Sequence, residues 1–148
     1  RIYLADLTHT GLGTATESFP LNIGLVTSYC FKNFKNDVEI KLFKFPEDLK
    51  KSIDEKKQHL LGCSNYSWNC NLSYHFANYV KSIDKSIVTV FGGTNYPYDI
   101  YNQKLFHKKR PNLDIHTFYE GEKSFSKIVE KMLSNIGNVK KKFEKCLK

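Results

Sequence analysis

Cysteine is scarce in this chain, and its spacing excludes the common metal sites. Four cysteines occur among 148 residues, at positions 30, 63, 70 and 146, so no Cys-x-x-Cys pair and no close triplet exists. Zinc ribbons and iron–sulfur clusters need such groupings. We therefore expect free thiols, as in a reducing compartment.

Long apolar runs and arginine-rich stripes are missing as well. No run of about eighteen apolar residues exists, so the sequence predicts no membrane span. No apolar signal segment is recognisable, and we expect a cytoplasmic protein. The net charge of +8 suggests nucleic acid, but residues 136–148 alone hold five lysines against one glutamate. The remaining charge is spread out, and neither nucleic acid nor membrane is an expected partner.

The motifs of several enzyme classes are also absent. Gly11 and Gly13 begin a glycine pattern, but Thr16 stands where a dinucleotide fingerprint needs its third glycine. There is no Gly-Lys-Ser/Thr for a phosphate-binding loop and no Gly-x-Ser-x-Gly nucleophile elbow. We predict no catalytic residues in this chain, and whether the parent protein is an enzyme stays open at this point.

The chain does contain a regular alternation of strand-like and helical segments. Five apolar, strand-like runs occupy residues 2–7, 38–43, 59–64, 87–91 and 113–118. Helical patterns follow each run, and the first is expected to bury Leu21, Leu25, Val26 and Tyr29. This order predicts an α/β, three-layer fold: a doubly wound, five-stranded parallel sheet with the flavodoxin-like strand order 2-1-3-4-5.

Polar or small residues follow three of the predicted strands, in residues 64–69, 91–95 and 119–122. Loops at the carboxyl ends of parallel strands line one shared crevice, so these segments predict one ligand site. Glycines at 92 and 93 let backbone approach a ligand closely. Trp68 could pack in the core or contact the ligand.

Five segments together resemble a known family, and they are residues 19–25, 61–69, 77–81, 91–97 and 119–125. Over residues 1–135 the chain resembles the cobalamin (B12)-binding domain that precedes the radical S-adenosylmethionine (radical SAM) domain of B12-dependent radical enzymes. On this resemblance, residues 136–148 would be a basic tail or linker toward a downstream domain. The parent protein would be a B12-dependent radical SAM enzyme that transfers methyl groups or rearranges substrates.

The resemblance implies a position for the cofactor. The corrin ring would lie over the carboxyl edge of the sheet, and its nucleotide tail would enter the crevice lined by the loops after strands 1, 3 and 4. Residues 120–122 would border the ring. The implied cofactor-binding residues are Thr8, His9, Thr10, Gly11, Ser64, Tyr66, Trp68, Gly92, Gly93, Thr94, Glu120, Gly121 and Glu122.

Two departures from related cobalamin domains narrow this expectation. Their Asp-x-His-x-x-Gly motif supplies a cobalt-ligating histidine, and here Thr8 stands at that position, with His9 one residue later. We therefore expect cobalamin held base-off, without a protein histidine ligand, and no metal-binding residue. The Cys-x-x-x-Cys-x-x-Cys motif is absent too, so S-adenosylmethionine and a 4Fe-4S cluster would belong to the downstream radical SAM domain of the same polypeptide.

Other functions remain open from the sequence. A degenerate flavodoxin-like domain could act as an interaction or substrate-recognition module. A flavin-binding module is suggested by the fold alone. Ligation of cobalt by His9 is the weaker alternative within the corrinoid hypothesis.

Overall fold

The computed structural model describes residues 1–8 and 19–146, with side chains as far as residue 135. Its strands form one parallel sheet with the order β2-β1-β3-β4-β5. The predicted fold class and strand order are confirmed. The strands are β1 (Ile2–Ala5), β2 (Ile40–Phe43), β3 (Leu60–Ser64), β4 (Val88–Gly92) and β5 (Ile115–Thr117).

Helices follow the strands in the expected alternation. They are α1 (Leu21–Phe34), α2 (Pro46–Glu55), α3 (Cys70–Ile83), α4 (Ile100–Lys108) and α5 (Gly121–Cys146). The backbone of α5 continues through most of the basic segment 136–148. In the described part of the chain, no helix is both long and apolar enough to cross a membrane.

The sheet separates two apolar cores because alternate residues of each strand point to opposite faces. Leu61 and Phe91 belong to the core shared with α2 and α3. Leu4, Leu60 and Val90 belong to the core on the other face, which is shared with α1 and α5. The central strands are therefore apolar on both faces, as expected for a covered parallel sheet.

Helix α1 packs with a different face from the predicted one. Leu21 is 60% exposed and Leu25 is 48% exposed. The buried residues are instead Ile23, Thr27 and Cys30. Apolar residues lie on more than one side of this helix, and contact with the sheet and α5 selects the face that carries Ile23. The prediction was wrong for Leu21 and Leu25, whereas Val26 is partly buried and packs against the core that contains Ile23.

Candidate functional site

A cavity of about 380 Å³ opens at the carboxyl edge of the sheet, between the sheet, α1 and the start of α5. This volume lies in the range of small-molecule sites. Its apolar lining includes Leu4, Gly62 and Phe125. A Cβ at position 62 would lie 2.5 Å from Leu4 Cδ2 and 3.1 Å from Phe125 Cε2. Glycine thus lets these two side chains close the floor of the cavity.

The structure brings the three loops singled out in the sequence to this one cavity. Loop residues of the expected set that line it are Ser64, Tyr66, Gly92, Gly93, Thr94, Gly121 and Glu122. They come from the ends of β3 and β4 and from the start of α5. Their convergence follows from the parallel topology, which places the carboxyl ends of the strands at one edge.

Three described members of the expected set, Thr8, Trp68 and Glu120, do not line this cavity. Trp68 is 63% exposed, which excludes core packing, and its ring stacks on Tyr66 with centroids 4.6 Å apart. Glu120 forms an exposed ion pair with Lys123 at 2.8 Å. Thr8 follows β1, where its backbone N–H donates to the carbonyl of Lys44. Three more residues of the set, at positions 9–11, lie outside the described residues.

Ser64 is held by a polar network that the sequence did not reveal. Its hydroxyl donates to the carboxylate of Asp6, and Asn69 Nδ2 donates to Ser64 Oγ at 2.8 Å. Asn69 Nδ2 also lies 3.3 Å from Asp6 Oδ1 and from the carbonyl of Leu7. The hydroxyl proton of Ser64 is therefore directed to Asp6, so toward any further partner Ser64 Oγ can only accept a hydrogen bond. One indication was present in the sequence, because Asp6 is the single charged residue in the apolar run 2–7.

On the β4 side of the cavity, the loops that follow β3 and β4 are in close contact. The buried Asn65 donates from Nδ2 to the carbonyl of Asn95 at 2.6 Å, and the Asn95 N–H donates to the Asn65 carbonyl at 3.1 Å. Gly93 has a φ of 125°, and a Cβ there would lie 2.8 Å from the Asn65 carbonyl oxygen. Gly93 is thus required by the neighbouring backbone, whatever the ligand is.

A buried histidine, His116, lies next to Asn65 in these loops. His116 stacks on Tyr96 with ring centroids 3.9 Å apart. Its Nε2 lies 3.3 Å from Asn65 Nδ2, so Nε2 accepts and Nδ1 carries the proton. Among the described residues Nδ1 has no hydrogen-bond partner. Burial lowers the pKa of His116 to about 4. No pattern in the sequence indicates that His116 is buried beside the cavity.

A thiol and a carboxylate are among the groups that line the cavity. Cys63 lines the cavity, but burial raises the pKa of its thiol to about 12, so it stays protonated. Glu122 contributes a carboxylate beside apolar groups and hydroxyls. In residues 1–8 and 19–135 no cluster of three or more His, Cys, Asp or Glu side chains is arranged to hold a metal ion.

Comparison of the chain with family models and with curated proteins finds no match. The residues and geometry of the cavity are therefore the basis on which a function is proposed.

Proposed function

We propose that this chain binds a corrinoid, cobalamin or a close relative, and presents it to a radical SAM domain elsewhere in the same polypeptide. One observation carries the proposal. The loops that bear the resemblance to cobalamin-binding domains converge on a single cavity, with Ser64 and Tyr66 on one side, Gly92 and Gly93 on another, and Glu122 at the start of α5.

The cavity fits the nucleotide tail of such a cofactor. Dimethylbenzimidazole is a flat, largely apolar base, and Leu4, Val26 and Phe125 offer apolar surface to it. Ser64 adds an acceptor whose direction is fixed by Asp6 and Asn69. A mostly apolar pocket with few oriented polar groups is the usual form of a cofactor site. The exposed edge around it would be left to the corrin ring.

In this proposal the chain binds and orients its cofactor. Thr8 stands where related domains have a cobalt-ligating histidine, so this position supplies no imidazole to cobalt. A threonine hydroxyl is a poor substitute for an imidazole as a cobalt ligand. When bound, the corrinoid would supply the methyl-transfer or radical chemistry together with the downstream domain. The residues of this chain would hold the tail and keep water from the covered part of the cofactor.

Titration of the purified chain with hydroxocobalamin and with methylcobalamin tests the proposal. We expect a heat of binding, a change toward the base-off visible spectrum and quenching of the fluorescence of Trp68, the only tryptophan. Trp68 is a suitable reporter because its ring stacks on the cavity residue Tyr66. FMN serves as the comparison ligand. Absence of binding by both corrinoids would contradict the proposal.

A variant that blocks the opening of the cavity provides a second test of the proposal. Thr94 is exposed and lines the cavity, so Thr94→Trp should block the site without disturbing the core. We expect at least about a tenfold loss of corrinoid affinity from the steric overlap. Thr94→Ser, which keeps the hydroxyl and adds no bulk, is the matched control and should bind as the wild type does. The visible spectrum and calorimetry avoid interference from the added indole.

An interaction module is the second candidate, because α4 presents apolar side chains to solvent. Ile100 and Tyr101 are largely exposed, and none of the residues of α4 is buried. Exposed apolar patches mark protein contacts. Failure to bind corrinoid, combined with binding to the downstream domain that Ile100→Asp abolishes, would favour this candidate.

A further inference from the structure

One side of the cavity is built from four aromatic residues, which we call the aromatic wall: Tyr96 and Tyr98 after β4, and Phe118 and Tyr119 after β5. We infer that the aromatic wall recognises the corrin macrocycle itself, so that affinity does not depend on the nucleotide tail alone. This inference rests on the proposed function and specifies which part of the ligand these residues bind.

The inner part of the wall is fixed in place. Tyr96 stacks on the buried His116, and its hydroxyl lies 2.9 Å from His107 Nε2. Phe118 meets the Tyr96 ring edge to face, with centroids 4.8 Å apart. These contacts orient the rings before any ligand arrives, which lowers the entropic cost of binding.

The outer part of the wall is exposed although it borders the cavity. Tyr98 is 81% exposed and Tyr119 is 93% exposed. Rings in these positions bury little surface in the folded chain and contribute little to its stability. They are available to a ligand that projects beyond the cavity, and a corrin ring is broad and presents apolar edges and faces. Contact with such rings is a common source of binding energy.

The backbone at Tyr119 supports the same conclusion. Its φ is 51°, in the left-handed region that side-chain-bearing residues rarely adopt. Glycine or asparagine would occupy this position with less strain. Strained backbone that carries an exposed side chain beside a cavity points to a functional requirement for that side chain.

Separate probes for the two parts of cobalamin test the inference. Cobinamide keeps the corrin ring and lacks the nucleotide tail, whereas the riboside of dimethylbenzimidazole is the tail's base and sugar alone. The variants are Tyr98→Ala, Tyr119→Ala and the double variant. Tyr101→Ala is the matched control, because Tyr101 is 77% exposed but does not line the cavity.

We expect each alanine in the wall to weaken cobalamin and cobinamide by about tenfold, the usual effect of removing one stacked aromatic ring. Riboside affinity and the thermal midpoint of the unliganded chain should not change. Tyr119→Phe keeps the ring and should keep the affinity. Tyr119→Gly removes the ring while suiting the backbone, so its loss of affinity could not be attributed to misfolding.

The outcomes distinguish the role of the aromatic wall from corrinoid binding by the chain as a whole. Cobalamin binding that is unchanged in the double variant would overturn the role of the aromatic wall and leave the corrinoid site standing. Riboside binding that falls in parallel with cobinamide binding would also overturn it, because the tail would then lie on the wall. Failure of the wild-type chain to bind any corrinoid would overturn the proposed function and the corrin as the occupant.

Discussion

At the scale of single residues, contacts with neighbouring protein atoms explain the residue types at two positions near the cavity. Gly93 gives the backbone space against Asn65, and His116 accepts a hydrogen bond from the same asparagine. Glycine pairs after a strand suggest close approach to a ligand, and the structure shows close approach to another loop. A bulky residue at position 93 would therefore disturb the fold as well as the site.

Replacement of Gly93 by alanine should destabilise the protein by about 2 kcal/mol, because the new Cβ meets the Asn65 carbonyl and φ is positive. The free energy of unfolding in urea measures the change. Gly24→Ala is the control within α1, where the added Cβ would lie 3.5 Å from the Phe19 ring, an ordinary contact. It should stabilise by roughly 0.5–1 kcal/mol. Equal effects of the two substitutions would contradict the assigned role of Gly93.

The lowered pKa of His116 predicts acid sensitivity with a defined sign. The unfolded chain binds this proton below about pH 6.5 and the folded chain only near pH 4. Between these values the unfolded state therefore binds more protons, and stability falls with falling pH, by about 3 kcal/mol in total. Protonation would also place an Nε2–H donor against the donating Asn65 Nδ2.

His116→Phe should flatten this part of the pH profile while retaining a ring to stack on Tyr96. Urea unfolding at several pH values from 7 to 4 measures the difference. Burial also lowers the pKa of His59, but His59 is present in both proteins, so subtraction removes its contribution. Identical profiles would show that His116 does not titrate in this window.

At the scale of elements, the number, type and order of helices and strands could be predicted, because they depend on local sequence pattern. The buried face of α1 could not, because it depends on contacts between elements. The five strands and five helices could be predicted because short apolar runs alternate with amphipathic segments. The orientation of α1 could not, since this helix carries apolar residues on several sides and only its packing on α5 decides which are buried. The buried face of α5, which includes Phe125 and Val129, is easier to recognise, because the apolar residues of this helix form a single stripe.

The amide hydrogens of helix α4 should be less protected from exchange with solvent than those of α3. Helix α4 contributes no buried residue, whereas α3 buries Ser73, Phe76, Ala77 and Val80. Few buried contacts permit local opening without global unfolding. Hydrogen exchange followed by mass spectrometry should show faster exchange in α4 than in α3. Comparable protection in the two helices would contradict this expectation.

The N-cap of α4 offers a way to change this local stability. The Asp99 carboxylate accepts from the backbone N–H of Asn102 at 2.9 Å. Asp99→Ala removes that acceptor and should speed exchange in α4 about fivefold, the usual effect of losing a cap. Exchange in α3 should not change, and Asp99→Asn, which retains a capping oxygen, should behave nearly as the wild type.

At the scale of the whole molecule, the convergence of the three loops at one edge of the sheet was predictable, and the contacts inside the cavity were not. Strand order alone brings the loops at 64–69, 91–95 and 119–122 to one edge of the sheet. Asp6, Asn69 and His116 act through contacts between residues far apart in the chain, with no periodic pattern to announce them. The aromatic wall was missed for the same reason, since its tyrosines and phenylalanine resemble ordinary apolar residues in sequence.

Ligand binding at this edge should stabilise the whole chain, because the cavity joins α1, α5 and the ends of β3 and β4. At a free cobalamin concentration of 100 times Kd, linkage predicts about 2.7 kcal/mol of stabilisation. For a chain of this size that corresponds to a rise in Tm of about 5–10 °C, which differential scanning calorimetry can measure. Thr94→Trp should lose the rise and Thr94→Ser should keep it. A rise that persists in Thr94→Trp would place the bound cobalamin elsewhere, since a blocked cavity cannot transmit binding to the strands and helices that form it.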